Sequence, residues 1–202
     1  MHTGGVTRVI AGEAGGRRIA VPGGRDTRPT SDRAREGLFA SISSIAGPLA
    51  GKRVLDLYAG SGAVGLEALS RGARRVVLVE SSGPALRVIR ANVQALGLTG
   101  AEVVADRVEH MLARGPIEGE GDGDGARYDV VFADPPYALP DEDVTTMLRA
   151  LTGNGWLAPD ALVVVERATR SGPVGWPDGY LPDRARRYGE ATFWYGLGPG
   201  AK

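Results

Sequence analysis

The stretch LDLYAGSGAVGLEALS, residues 55–70, leaves an apolar strand, passes a glycine-rich turn and enters a helix. Gly60, Gly62 and Gly65 stand in the G-x-G-x-x-G spacing. In that pattern Gly60 permits a tight turn, Gly62 lets a ligand approach the backbone, and Gly65 lets the helix pack against the strand. The next apolar run, residues 76–80, ends in Glu80, where an acid can take both hydroxyls of a ribose. These residues predict a nucleotide-type ligand, and NAD satisfies the fingerprint. Charge separates the candidates. A dinucleotide brings an anionic pyrophosphate to the helix N-terminus. Asp56 adds a negative charge beside that place, which suits a ligand with a cationic sulfonium and an ammonium group, S-adenosylmethionine (SAM). The alternative is that Asp56 only braces the loop.

Outward from this motif, strand and helix alternate. Helices are expected at residues 63–70, 84–96, 108–113 and 141–151, and strands at 54–58, 76–80, 102–105, 128–133 and 161–166. The strands are almost wholly apolar, as in a parallel sheet covered on both faces, so the fold class is α/β. Two terminal strands around Gly189 form an antiparallel hairpin. Residues 6–10 and 18–21 read as a small N-terminal hairpin, and Thr30 or Ser31 caps the helix that follows. Residues 115–127, glycine and acid with little to bury, read as a solvated loop.

FADPPYALP, residues 132–140, leaves the fourth strand through an acid, two prolines and a ring. Consecutive prolines fix φ twice and hold Asp134 extended. A stiff set of acceptors beside an aromatic ring suits a flat ligand bearing an amino group. Asp106 follows the third strand and can accept from an adenine amino group or cap the next helix. Asp56, Glu80, Asp106 and Asp134 therefore share the carboxyl edge of the sheet, where open α/β folds bind ligands.

The chain has 202 residues, no cysteine and only two histidines, His2 and His110, so thiolate or imidazole metal sites and a histidine-based triad are disfavoured. No long apolar span or leader is legible, and a cytoplasmic protein is expected. The formal net charge is +0, yet arginines crowd residues 1–36. As a group, Arg17, Arg18, Arg28, Arg33 and Arg35 fit RNA phosphates, although any one of them could be a solvated, paired surface charge. Arg184, Arg186 and Arg187 form a second basic cluster.

DLYAGSG followed by DPPY resembles the SAM-dependent amino-methyltransferases that alkylate exocyclic nitrogens of bases. The opening, RVIAGEAGGRRIAVPGGRDTRPTSDRAREGLF, resembles the RsmD-type enzymes that methylate N2 of a guanine in 16S rRNA. The resemblance implies a Rossmann-like class I methyltransferase with a mostly parallel seven-stranded sheet over residues 37–202, and an RNA-binding extension at 1–36. It implies a cofactor set of Asp56, Tyr58, Gly60, Ser61, Gly62, Glu80, Ser81, Asp106, Arg107 and Thr30. Asp134, Pro135, Pro136 and Tyr137 become the catalytic group, with no metal. The implied partner is 16S rRNA within a 30S subunit, acted on by a monomer. A DNA amino-methyltransferase, an NAD-dependent oxidoreductase and a non-catalytic RNA-binding module are the competing classes.

Overall fold

A computed structural model describes residues 5–23, 31–116 and 127–200. Two short strands, β1 (Val6–Arg8) and β2 (Arg18–Ala20), precede helix α1 (Asp32–Ala46). Then come β3 (Arg53–Leu57), α2 (Ala63–Ser70), β4 (Arg75–Glu80), α3 (Gly83–Leu96), β5 (Ala101–Ala105), α4 (Val108–Arg114), β6 (Tyr128–Ala133) and α5 (Asp141–Gly153). Strand β7 (Leu157–Ala168) leads through a single 3-10 turn (Thr169–Ser171) to the final hairpin, β8 (Leu181–Tyr188) and β9 (Ala191–Leu197).

The seven-stranded sheet has the order β5-β4-β3-β6-β7-β9-β8. The pairs from β5 to β7 are parallel, and β9 and β8 are antiparallel. Alternation along the strands divides the core in two. Val54, Val76, Leu78, Phe132, Val164 and Phe193 face α1, α2 and α3. Leu55, Leu57, Val77, Val131, Val163 and Val165 face α4 and α5. Burial on both faces explains why these strands read as continuous apolar runs. The chain steps from β3 outward to β5, then returns to the other side of β3 with β6, so the strand order reverses between β3 and β6. A crevice opens at the carboxyl ends of strands at such a point.

Strand β7 is longer than the expected 161–166. Its first residues, Leu157–Asp160, are intermediate to exposed, and the register against β6 shifts between Tyr128 and Val130. Asp160 takes φ 59, a left-handed kink that interrupts the apolar pattern. Helix α1 is capped by Ser31, whose Oγ accepts from Ala34 N at 3.2 Å. Thr30 and Arg28 lie outside the described residues, as does most of the glycine and acid loop. Among the described residues no helix is long and apolar enough to cross a membrane.

The division drawn between residues 36 and 37 does not separate two bodies, because α1 runs through it unbroken. The small hairpin also shares the core. Val9, Ala14 and Ile19 are buried with Phe39 and Leu66. Glu67 of α2, 0% exposed, accepts from Ile10 N at 2.6 Å, Ala11 N at 3.0 Å and Arg71 Nε at 2.7 Å. Ser70 Oγ accepts from Ala14 N at 2.9 Å. At Gly12, φ 83, an added Cβ would lie 1.8 Å from Ser70 O, so only glycine allows this contact.

Two of the arginines assigned to RNA serve the fold instead. Arg35 is 0% exposed, and its Nη2 donates to Arg8 O at 2.6 Å, Asp32 Oδ1 at 2.9 Å and Thr7 Oγ1 at 3.2 Å. It ties α1 to β1 and is out of reach of a phosphate. Arg17 donates to Leu96 O at 2.7 Å and also to Ala95 O, closing the C-terminal turn of α3. A cation there satisfies orphan carbonyls and the helix dipole. That turn leads into the start of β5, so Arg17 sits at the amino edge of the sheet, opposite the crevice.

Glu67→Ala would strip two half-buried backbone N–H groups, those of Ile10 and Ala11, of their acceptor and leave a cavity at a buried side chain. Urea unfolding of that variant will show a loss of about 2–4 kcal/mol. A loss below 0.5 kcal/mol, on the order of an ordinary surface change, would mean that the hairpin is not anchored through Glu67.

Candidate active site

The glycine turn is held from three sides. Ala59 N donates to Val79 O at 3.0 Å, Gly62 N to Ala59 O at 2.7 Å, and Gly60 N to Glu80 Oε2 at 2.9 Å. The other oxygen of Glu80 accepts from Ser81 N at 2.8 Å and Ser82 N at 2.7 Å. A carboxylate has room for about four such bonds, so Glu80 is fixed in place with an acceptor site to spare. Gly60 and Gly62 take φ 57 and 77. Their roles differ from those the pattern suggested. An added Cβ on Gly62 would meet core side chains, Leu78 at 3.2 Å, Leu66 at 3.4 Å and Ile89 at 3.5 Å. Gly60 is the open position, where among the described residues the nearest atom to an added Cβ is Tyr58 O at 4.0 Å. Gly65 behaves as expected, with an added Cβ lying 2.7 Å from Leu78 and 2.8 Å from Val76.

Asp56, 1% exposed, accepts from Gly65 N at 2.8 Å through Oδ2. It braces the loop and helix from beneath. Burial pushes its pKa up to about 7; the Gly65 N–H opposes the rise and Glu80 adds to it. Tyr58 carries its ring at φ 61, a conformation rare for a bulky residue. Its buried Oη has no hydrogen-bond partner among the described residues. Burial, with Glu109 and Asp143 nearby, raises its pKa. Ser61, 9% exposed, is held through its carbonyl, which accepts from Asn92 Nδ2 at 2.9 Å. The same Asn92 amide pairs with both backbone groups of Ala20, at 2.8 and 2.9 Å, and so ties the N-terminal hairpin to the glycine turn.

Asp106 continues the rim, with its N donating to Glu80 O at 3.1 Å. Its carboxylate accepts from Arg107 N at 2.8 Å and pairs with Arg114. It is not the N-cap of α4: that position belongs to Arg107, whose own side chain makes no capping bond.

Asp134 lies directly across from the glycine turn, its N donating to Leu57 O at 3.3 Å. Pro135 is buried, Pro136 O accepts from Leu139 N at 2.8 Å, and the Tyr137 ring is 42% exposed beside them. Two residues that the sequence reading passed over complete this corner. Ala133 pairs with Val165 in register, which brings Glu166 of β7, 4% exposed, beside Asp134. Arg167, 3% exposed, donates through Nη2 to Leu139 O and to Asp141 Oδ1, both at 2.8 Å, and stitches the proline loop to α5. Burial raises the pKa of Asp134 well above the carboxylate range; Glu166 and Asp56 add to this and Arg167 opposes it. The signal for both was present in VVVERA, a charged pair at the end of an apolar strand. Of the remaining arginines assigned to RNA, Arg18 and Arg33 are exposed.

The fold and this site match known proteins. The family model described as conserved hypothetical protein 95 matches residues 7–196. Ribosomal RNA small subunit methyltransferase D of Escherichia coli (strain K12) is 36% identical over 182 residues, 87% of this chain and 84% of that one. The solved structure of a putative methyltransferase, yhhF, from Escherichia coli superimposes with a TM-score of 0.81 at 30% identity, covering 98% of this chain and 100% of that one. A putative SAM-dependent methyltransferase from Streptococcus mutans has the same fold, with a TM-score of 0.67 at 16% identity over 90% of this chain and 53% of that one. The architecture is that of the class I SAM-dependent methyltransferases.

Folded Asp56 keeps its proton up to about pH 7, whereas the unfolded carboxyl releases it at about pH 4. Its contribution to stability is therefore greatest at low pH and declines as pH rises between those values. Asp56→Asn keeps an acceptor for Gly65 N–H and cannot ionise. Relative to the parent, its unfolding free energy will rise by about 3–4 kcal/mol from pH 4 to pH 7 and level off above that, as read by urea unfolding. A difference independent of pH would contradict the burial of an ionising group here.

Proposed function

This chain belongs to the RsmD-type family of small-subunit rRNA methyltransferases, the family described as conserved hypothetical protein 95, and on that premise we propose that it moves a methyl group from SAM to the exocyclic N2 of a guanine in 16S rRNA. The observation that carries the proposal is the pairing of β3 with β6. It sets an open glycine turn beside a proline-braced acid, where neighbouring acids raise the proton affinity of Asp56 and Asp134. Around those two carboxyls acidic neighbours outweigh cationic ones. This balance favours a ligand carrying a sulfonium and an ammonium group, and it disfavours the pyrophosphate of NAD.

The residues fit that cofactor. Gly60 leaves the backbone open to it, Glu80 retains acceptor capacity for ribose hydroxyls, and Asp106 lies next along the rim. When bound, SAM supplies an electrophilic methyl on a positively charged sulfur. The protein's own work is to position and polarise the amine. An exocyclic amine delocalises its lone pair into the ring and is a poor nucleophile. Asp134 and the Pro135 carbonyl accept its two N–H groups and draw the nitrogen toward tetrahedral geometry. As the N–C bond forms, they stabilise the positive charge that develops on nitrogen. The stiff proline pair keeps both acceptors aimed, which is positioning catalysis. Tyr137 offers its exposed ring to stack on the guanine, which must leave its own stack to enter. Neighbouring Glu166 strengthens the hold of Asp134 on a proton, so Asp134 can take the one that the methylated nitrogen sheds.

The 30S particle as substrate, a monomeric state and work in the cytoplasm, where small subunits assemble, belong to the same proposal. Relatives named for small-subunit rRNA support the choice of RNA over DNA.

The test is methyl transfer to undermethylated small subunits, naked 16S rRNA and DNA, with the product nucleoside identified by mass spectrometry. N2-methylguanosine from the RNA substrates is expected, and transfer to DNA alone would overturn the proposal. Asp134→Ala will lower kcat by about 10²–10³-fold or more, the scale of losing a principal transition-state acceptor. Calorimetry will find its affinity for SAM within a few-fold of the parent. Unchanged turnover would remove Asp134 from the mechanism.

A further inference from the structure

The crevice needs a path for the RNA backbone on either side of the target base. The N-terminal arginines do not supply it all, because Arg17 faces the amino edge and Arg35 is buried. The other end of the sheet carries an alternative. Arg186 pairs in register with Phe193 of β9, and Phe193 pairs with Glu166 of β7, the neighbour of Asp134. Residues directly opposite in a sheet share a face, and strands are spaced by about 4.8 Å, so Arg186 stands roughly 14 Å from Asp134 along one row. Arg187 follows at the end of β8, its Nε donating to Gly189 O at 3.0 Å. The 3-10 turn after β7 packs on the same carbonyl, with Thr169 Oγ1 donating to Gly189 O at 3.4 Å and Thr169 N to Glu190 O at 2.7 Å. That brings Arg170 to the same corner. Arg170, Arg186 and Arg187 are all exposed.

We propose that this corner, Arg170, Arg186 and Arg187 around the turn of the last hairpin at the carboxyl edge of the sheet, binds phosphates of the RNA strand flanking the base held at Asp134. The inference rests on the proposed RNA substrate and names the surface that receives it. Charge is the complementarity that selects a polyanion. Among the described residues of the turn and the adjoining strand ends, Glu190 is the acid beside these three cations. Arginines on an edge strand can also serve merely to block pairing with another chain. Their distribution argues against that role alone. Toward the opposite end of β8, Arg184 pairs with Asp183, and that end holds Pro182 and the exposed Leu181. Arg170, Arg186 and Arg187, which form no such ion pair among the described residues, gather on the side of the active site, where a guard of the strand edge gains nothing from their placement.

The test compares the parent chain with a variant carrying Arg170→Ala, Arg186→Ala and Arg187→Ala, and with Arg17→Ala as a control at the opposite edge. Binding to in-vitro transcribed 16S rRNA is measured by fluorescence anisotropy across a salt series. Neutralising a phosphate contributes about 0.7–0.9 to the slope of log K against log salt, so the triple variant will lose about 2 from that slope. Its affinity at moderate salt will fall at least tenfold, and its KM for RNA will rise while the Kd for SAM and the melting temperature stay within error. Arg17→Ala will lower the melting temperature and keep the parent's slope. A triple variant with the parent's slope and KM would overturn the inference and leave the corner as an edge guard. Failure of the parent to methylate RNA would overturn the proposed function, a separate result, because the salt slope is read from binding alone.

Discussion

One constraint orders the rest of the molecule: β6 returns to pair with β3 rather than with β5, the strand that precedes it in the sheet region of the chain. Leu57 stands opposite Ala133, and the next backbone bond, Asp134 N to Leu57 O at 3.3 Å, is the last rung before both chains turn away. Everything proposed for catalysis follows from that rung. One strand turns through glycines and opens its backbone, and the other turns through prolines and stiffens. Because both turns hang from the same sheet edge, their separation is set by strand spacing and not by flexible side chains. The buried residues on either face hold that edge in place, so precision at the site derives from the core.

The charge balance at the edge gives the site its character. Asp56 and Glu166, both buried, and the half-buried Asp134 lie on the same face of adjacent strands, and Glu80 closes the group. Arg167 opposes the proton affinity of Asp134 from the other face of the sheet while its bonds are directed at the proline loop. Ionising Asp56 and Asp134 in the ligand-free protein is unfavourable, and a cation arriving beside them would relieve that penalty. In the proposed mechanism the same arrangement favours a positively charged cofactor and readies Asp134 to accept hydrogen bonds once that charge is present.

Much of this was legible in the sequence, for definite reasons. Apolar strands buried on both faces announce a parallel sheet, and Gly65 is readable because close packing of helix on strand leaves no other choice. Asp134 is readable because two prolines constrain whatever precedes them. What was not legible depends on partners distant in the chain. An arginine looks the same in sequence whether it meets a phosphate or, like Arg35, the carbonyl of Arg8 inside the core. That Gly62 faces core side chains while Gly60 is open could not be read from spacing, because the direction of a missing Cβ depends on the loop's path. Glu166 and Asn92 act through strand register and a helix-to-hairpin contact, neither of which a linear motif records.

The most direct measurement is a crystal structure of the protein with S-adenosylhomocysteine, the demethylated product of the cofactor. The account predicts the ligand across Gly60 to Gly62, its ribose on Glu80, and its sulfur facing Asp134 with space between them for a methyl group and an amine. A ligand bound elsewhere, or a sulfur separated from Asp134 by the core or by the body of the ligand, would contradict it.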